Sequence, residues 1–143
     1  MKLKQIILFI IIFLPQILSS QTKEYPDNYF LPPIKLPIST SGYFAELRAN
    51  HLHSGIDIRI GEKEGEKVFS PEEGEVSRLK IQAFGGGKNL YIRHPNGYTT
   101  VYMHLQHYCD KIEEYIRKYQ YEKQTYEFDI EVPEGVLKFK KGE

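Results

Sequence analysis

One turn constrains the fold of this chain more than any other segment. Asn96-Gly97 follows Pro95 and stands between residues 89–94 and 98–105, two runs rich in β-branched and aromatic side chains. Asn-Gly accepts positive φ at both central positions of a tight hairpin turn, and the strands that it joins must pair antiparallel. The chain is therefore predicted to fold around an antiparallel sheet that contains this hairpin.

Further segments show the short alternating pattern of strands, with turn residues between them. The additional predicted strands are residues 44–47 (weakly), 55–60, 67–69, 75–81 and 126–132. Residues 67–69 and 75–81 flank a turn at residues 71–74, which predicts a second hairpin.

One segment changes from the two-residue period of strands to the period of a helix. Its apolar side chains at positions i, i+3, i+4 and i+7 are Ile112, Tyr115, Ile116 and Tyr119. We expect an amphipathic helix from Asp110 to about Lys123, with Asp110 as its N-cap and its apolar stripe on the sheet. The predicted fold class is mainly β, an antiparallel sheet with one inserted helix.

The first twenty residues have the pattern of a secretory signal peptide. Lys2 and Lys4 precede the apolar run at residues 6–14, and small residues follow, with cleavage expected near Ser20. The run is short for a membrane span, so no stable span is expected after signal removal; an uncleaved anchor is the alternative. The protein is therefore expected to be periplasmic or extracellular.

The remaining chain divides into a lead-in and one domain. Residues 21–41 contain four prolines, which exclude regular structure and predict an extended segment. Residues 42–143 are the predicted domain. The 19 basic and 19 acidic residues of the chain balance, so no electrostatic footprint for nucleic acid is present. With Cys109 as the single cysteine, stability must come from packing or from a metal.

His53 and Asp57 are the first candidate metal ligands, four residues apart with Gly55 between them. Both are good zinc donors, but in a straight strand they lie roughly 13 Å apart. A strand bent at Gly55, which tolerates positive φ, would bring them together. On this spacing alone, the simpler interpretation is a strand with a surface histidine and a turn aspartate. His51, two residues before His53, is a further possible chelator.

His104 differs from the other histidines, because strand alternation separates it from the expected core. Val101, Met103 and Leu105 share one face, which is predicted to be apolar core, whereas His104 faces a cleft or solvent. His94, at the tip of the hairpin, is explained by turn propensity. His107 is expected at the surface.

Four stretches together resemble the zinc metalloendopeptidases of the lysostaphin and LytM type, which cut the peptide part of bacterial cell walls. His53-Ser54-Gly55-Ile56-Asp57 resembles their H-x-G-x-D motif. The other three stretches, at residues 65–76, 87–97 and 100–105, resemble in turn G-x-x-V-x-A-x-x-x-G-x-V, G-x-x-v-x-I-x-H-x-N-G and T-x-Y-x-H-L. Each is weak alone, but their shared order is specific.

The resemblance implies an antiparallel sheet of the LytM-like type (the duplicated hybrid motif) with a groove across it. It implies that His53 and Asp57 are two of three protein ligands of one zinc ion. It also implies that His104 orients or deprotonates the attacking water. The expected reaction is hydrolysis of peptide bonds in peptidoglycan stems or cross-bridges.

The sequence also departs from that family. The family's third ligand comes from a late H-x-H strand, and no such strand follows Lys140-Lys141-Gly142-Glu143. We therefore expect a domain truncated at its C-terminus, with the third zinc ligand missing and little activity alone. The alternatives are a non-catalytic wall-binding or regulatory module of the same fold, and a plain β domain with a local site at His51, His53 and Asp57.

Overall fold

The regular elements occupy the second half of the chain more densely than the first. A computed structural model describes residues 27–61 and 64–143, so the predicted signal peptide lies outside the described residues. The elements are β1 (Thr40–Gly42), β2 (Asp57–Ile58), β3 (Gly74–Ile81), β4 (Lys88–Arg93), β5 (Thr99–Tyr102), α1 (Asp110–Lys123), β6 (Phe128–Glu131) and β7 (Lys138–Phe139). Their content confirms the predicted fold class, mainly antiparallel β with a single helix in the described part.

The main sheet has the order β5-β4-β3-β6, and β7 pairs with the beginning of β3. All its pairs are antiparallel. A separate two-stranded ribbon, β1 with β2, carries the candidate metal ligand Asp57 at the start of β2, and His53 lies in the loop between these two strands. The fold therefore places the first zinc motif beside the main sheet rather than within it.

The predicted central hairpin is present as β4 and β5. The amide of His94 donates to the Tyr98 carbonyl over 2.8 Å, which leaves three residues in the loop. Only Gly97 has positive φ there, at 83°. The turn is thus a three-residue loop with glycine in the left-handed position rather than a two-residue turn with both central residues at positive φ.

Helix α1 packs on β3 through the predicted stripe. Ile112 and Ile116 are buried, and they contact a core that includes Leu79, which is 0% exposed. The helix bounds agree with the prediction, but the N-cap does not. Cys109 holds that position without a side-chain hydrogen bond, and Asp110 is the first helical residue. Its carboxylate there still favours the positive end of the helix dipole.

Three predicted strands differ from the structure. Residues 44–47 lie in an irregular loop, residues 67–69 have no strand partner, and only Asp57–Ile58 of residues 55–60 is extended and paired. The predicted second hairpin is therefore wrong. The amide of Phe69 donates instead to the Pro33 carbonyl over 2.8 Å, so the lead-in takes the place of a paired strand.

The faces of β5 are opposite to those predicted, whereas Leu105, beyond the end of the strand, packs against the core as expected. Val101 and Met103 are 46% and 51% exposed, whereas Tyr102 is half-buried. The cause is the register with β4, which pairs Tyr102 with Leu90 and so places it on the core face of the sheet. Alternation within one strand identified two faces but could not say which of them the helix covers.

The lead-in packs against the central hairpin. The ring of Phe30 meets that of His94 edge-on, with centroids 5.1 Å apart. His94 is 3% exposed, and its two ring nitrogens contact the Glu73 carbonyl and the Thr100 hydroxyl. His94 is thus a buried structural histidine, and turn propensity alone did not indicate this. None of the described helices is long and apolar enough to cross a membrane.

Candidate metal site

A small irregular hairpin at residues 45–53, here named the 45–53 hairpin, presents His53. The Ala45 amide donates to the His53 carbonyl over 2.7 Å, and the His53 amide donates to the Glu46 carbonyl over 2.9 Å. Ala45 has φ of 62°, a left-handed conformation that costs an alanine free energy and turns the chain out of β1. Backbone hydrogen bonds therefore fix the position of His53 before any side chain contributes.

Strand pairing fixes Asp57 next to this hairpin. Gly42 of β1 stands opposite Asp57 of β2, and the ladder shifts register between Thr40 and Gly42. A Cβ atom at Gly42 would overlap Oδ2 of Asp57. The glycine therefore leaves the space that the carboxylate occupies.

His53 and Asp57 converge, as a shared site requires. Nε2 of His53 lies 3.3 Å from Oδ1 of Asp57. Nδ1 of His53 lies 3.0 Å from the Tyr43 carbonyl, which can only accept, so we assign the ring proton to Nδ1. The unprotonated Nε2 then faces a carboxylate oxygen. Two facing acceptors at this distance repel each other unless a cation or a shared proton lies between them.

The donor pair fits zinc in chemistry and in spacing. Two donors on a tetrahedral zinc ion, each roughly 2.0–2.1 Å from it, are about 3.3 Å apart. The Nε2–Oδ1 separation has this value. A histidine that ligates a metal commonly donates its other N–H to a backbone carbonyl, as His53 does to Tyr43.

Two ligands are nevertheless all that the described residues bring together. Across residues 27–61 and 64–143, no group of three or more His, Cys, Asp or Glu side chains is placed to hold a metal. His51 contacts its neighbour Asn50 and is exposed, so the interpretation of a local His51, His53 and Asp57 site is not supported.

Arg48 is the residue at this site that sequence reasoning missed. Its Nη2 atom lies 2.7 Å from Oδ2 of Asp57 and 2.9 Å from Oε2 of Glu46. Two carboxylates and one guanidinium leave the cluster with net negative charge, which attracts a divalent cation. No sequence spacing rule relates position 48 to position 57, because the 45–53 hairpin brings them together.

The backbone mechanism expected at Gly55 is wrong, although the convergence that it was meant to explain is present. Seven described glycines have positive φ, and Gly55 is not among them. The chain turns instead through Ala45 and the 45–53 hairpin, and Asp57 is placed by its pairing with β1.

His104 is exposed, as predicted, but it does not lie on a strand. Strand β5 ends at Tyr102, and His104 has φ of 57° with its amide donating to the Gly86 carbonyl over 2.8 Å. Histidine is among the residues that adopt this left-handed conformation more readily. In the described part of the chain, no hydrogen bond or ion pair joins His104 to His53 or Asp57.

Comparisons with known proteins place this chain in the metallopeptidase class. Residues 51–121, about half of the chain, match Peptidase family M23, and this segment contains His53, Asp57 and His104. A Haemophilus influenzae protein named as an uncharacterized metalloprotease is 35% identical over 66 residues, which are 46% of this chain and 14% of that protein. The chain belongs to Peptidase family M23, the lysostaphin and LytM type, and carries part of its domain.

The extent of these matches is limited. The chain spans about 14% of the length of the curated relative that it matches. No solved structure matches the chain. The resemblance inferred from the four stretches is confirmed, and the roles of the individual site residues remain predictions.

Proposed function

We propose that this chain supplies part of the active site of a secreted zinc metalloendopeptidase that hydrolyses peptide bonds in bacterial peptidoglycan. The supporting observation is the 3.3 Å separation between Nε2 of His53 and Oδ1 of Asp57, two acceptors that a shared zinc ion would reconcile. Membership of Peptidase family M23 supports the peptidase class. The periplasmic or extracellular location and the peptidoglycan substrate are part of this proposal.

In this proposal, His53 and Asp57 hold the metal through Nε2 and Oδ1. Zinc with three protein ligands supplies a bound water whose pKa falls to about 7, together with Lewis-acid polarisation of a carbonyl. His104 would accept the proton of the attacking water as general base, a role that the family resemblance implies and that its exposed imidazole leaves open. The negative charge shared by Glu46 and Asp57 retains the cation.

Two protein ligands hold zinc more weakly than three, so we expect the 143-residue chain alone to hydrolyse peptidoglycan at a background rate. Free imidazole supplies a nitrogen ligand from solution. With imidazole and zinc present, we expect the purified chain to release new amino groups from peptidoglycan at a measurable rate. His53→Ala should lose both zinc binding and this rate, and His104→Ala should lose the rate but keep zinc binding.

Three results would contradict the proposal. Equal zinc binding by the wild-type chain and by His53→Ala would refute the proposed metal site at His53 and Asp57. An imidazole-dependent rate that survives His104→Ala would refute the proposed role of His104 as general base. Clear hydrolysis without imidazole would show that the two described ligands suffice. It would refute the proposal that the site needs a further ligand for activity.

A further inference from the structure

Arg48 bridges two carboxylates with a single nitrogen. Its Nη2 lies 2.7 Å from Oδ2 of Asp57, 2.9 Å from Oε2 of Glu46 and 3.5 Å from Nδ1 of His53. The contact with Asp57 is a charge-assisted hydrogen bond, which is stronger than a neutral one, and the contact with Glu46 is an ion pair. The third is a contact rather than a hydrogen bond in the assigned tautomer, because Nδ1 of His53 carries a proton that it donates to the Tyr43 carbonyl.

The contact with Arg48 decides which oxygen of Asp57 faces His53. A free carboxylate can rotate and offer either oxygen, or both, to a cation. Here the guanidinium engages Oδ2, and Oδ1 alone faces Nε2 of His53. Gly42 leaves room for this contact, because an added Cβ there would overlap Oδ2 of Asp57 and lie 2.5 Å from Nη2 of Arg48. The orientation of the carboxylate therefore depends on the contact with Arg48 and on the open space at Gly42.

The rest of the Arg48 side chain is not explained by packing alone. In the part of the chain that the structure describes, Nε of Arg48 is buried and has no hydrogen-bond partner. Leaving a buried donor without a partner is unfavourable. An arginine kept only for local stability would be expected to satisfy this atom as well. The polar contacts of Arg48 are instead made by Nη2, at the metal site.

We propose that Arg48 is a positioning residue for the metal site, orienting Asp57 so that it ligates through Oδ1 alone, with Glu46 holding Arg48 in place. This inference rests on the proposed function, since it requires that His53 and Asp57 bind a metal. It assigns Arg48 no contact with substrate or with the metal. Outer partners of metal ligands commonly change metal affinity by about 10–100-fold.

The test uses zinc alone as the probe, with affinity measured in the full chain by competition with a chromophoric chelator. Arg48→Met keeps much of the side-chain length and removes the charge, and we expect zinc affinity to fall by about 10–100-fold. Arg48→Lys keeps the charge and should restore part of the affinity, which a merely structural role of the guanidinium would not predict. Arg117→Met, at an exposed position of α1, removes one positive charge elsewhere and should leave zinc affinity unchanged.

A second variant covers the case in which Arg48→Met fails to fold. Glu46→Gln leaves Arg48 and Asp57 in place but weakens the hold on the guanidinium, so we expect a loss of several-fold. The double variant of Glu46→Gln and Arg48→Met should lose no more than Arg48→Met alone, because residues of one network are not additive.

The outcomes separate this inference from the proposed function. If Arg48→Met and Glu46→Gln bind zinc as tightly as the wild-type chain while His53→Ala does not, Arg48 is no positioning residue and the proposed metal site stands. Tighter binding by Arg48→Met would overturn the inference in the same way, because the guanidinium would then compete with the metal. If the wild-type chain binds no zinc, both are overturned.

Discussion

The Gly42→Ala substitution provides a sharp test of the site geometry. The new Cβ would lie 2.5 Å from Nη2 of Arg48 and 2.9 Å from Cγ of Asp57, where ordinary contact begins at 3.4 Å. Nη2 must therefore retreat by about 0.9 Å, a distance obtained from these two values. The added Cβ would also overlap Oδ2 of Asp57, so both ends of the 2.7 Å hydrogen bond between Arg48 and Asp57 must move, and we expect that bond to be disrupted.

The magnitude follows from this displacement. Overpacking of this kind costs about 1–3 kcal/mol where the surroundings cannot relax. Loss of the orienting contact should weaken zinc binding by about 10–100-fold, which is about 1.4–2.7 kcal/mol. The assay is competition with a chromophoric chelator at fixed pH, with circular dichroism to confirm that the main sheet and helix persist.

Gly55→Ala is the matched control, in the same segment and with the same added methyl group. Its Cβ would meet nothing closer than Nε2 of His53 at 4.0 Å, and its φ is not positive, so we expect zinc affinity within about threefold of wild type. Wild-type zinc affinity in Gly42→Ala, or equal losses in both variants, would refute the reasoning that the space at Gly42 sets the position of Asp57.

Three further predictions concern the fold that supports the site. Ile112→Ala, at a position 2% exposed, should lower the free energy of unfolding in urea by about 2–5 kcal/mol, whereas Tyr121→Ala, 72% exposed, should change it by less than about 0.5 kcal/mol. The hydrogen bond from Arg93 holds the pKa of Glu75 below its ordinary value of 4.5. Its stabilising contribution is therefore complete above about pH 4.5 and lost as the pH falls through the lower pKa of the folded chain, so Glu75→Gln should flatten the acid limb of the stability curve. His104→Val places a β-branched residue at φ of 57° and should lower the free energy of unfolding by about 1–2 kcal/mol. His104→Gly should not lower it. A less stable glycine variant than valine variant would contradict the left-handed backbone at this position.

Local signals in the sequence predicted the elements that depend on neighbours along the chain. The hairpin of β4 and β5 follows from a glycine that must have positive φ, and α1 follows from a 3.6-residue period. The pairing of His53 with Asp57 was predicted through a family resemblance rather than through spacing. Spacing alone favoured a surface histidine and a turn aspartate.

What the sequence could not predict depends on contacts between distant segments. The burial of Tyr102 in place of Val101 follows from the register of β5 against β4, which no single strand encodes. The burial of His94 depends on Phe30, more than sixty residues earlier in the chain. Arg48 gained its place at the site only through the 45–53 hairpin, whose bend lies at an alanine rather than at a glycine.

The most direct test of the central claim is the zinc content of the purified chain, measured by metal analysis after dialysis against limiting zinc. The account predicts up to one zinc ion per wild-type chain and its loss in His53→Ala, with the circular dichroism spectrum of the variant unchanged. Equal zinc in both proteins, or none in the wild type at saturating zinc, would contradict the claim that His53 and Asp57 form part of a metal site.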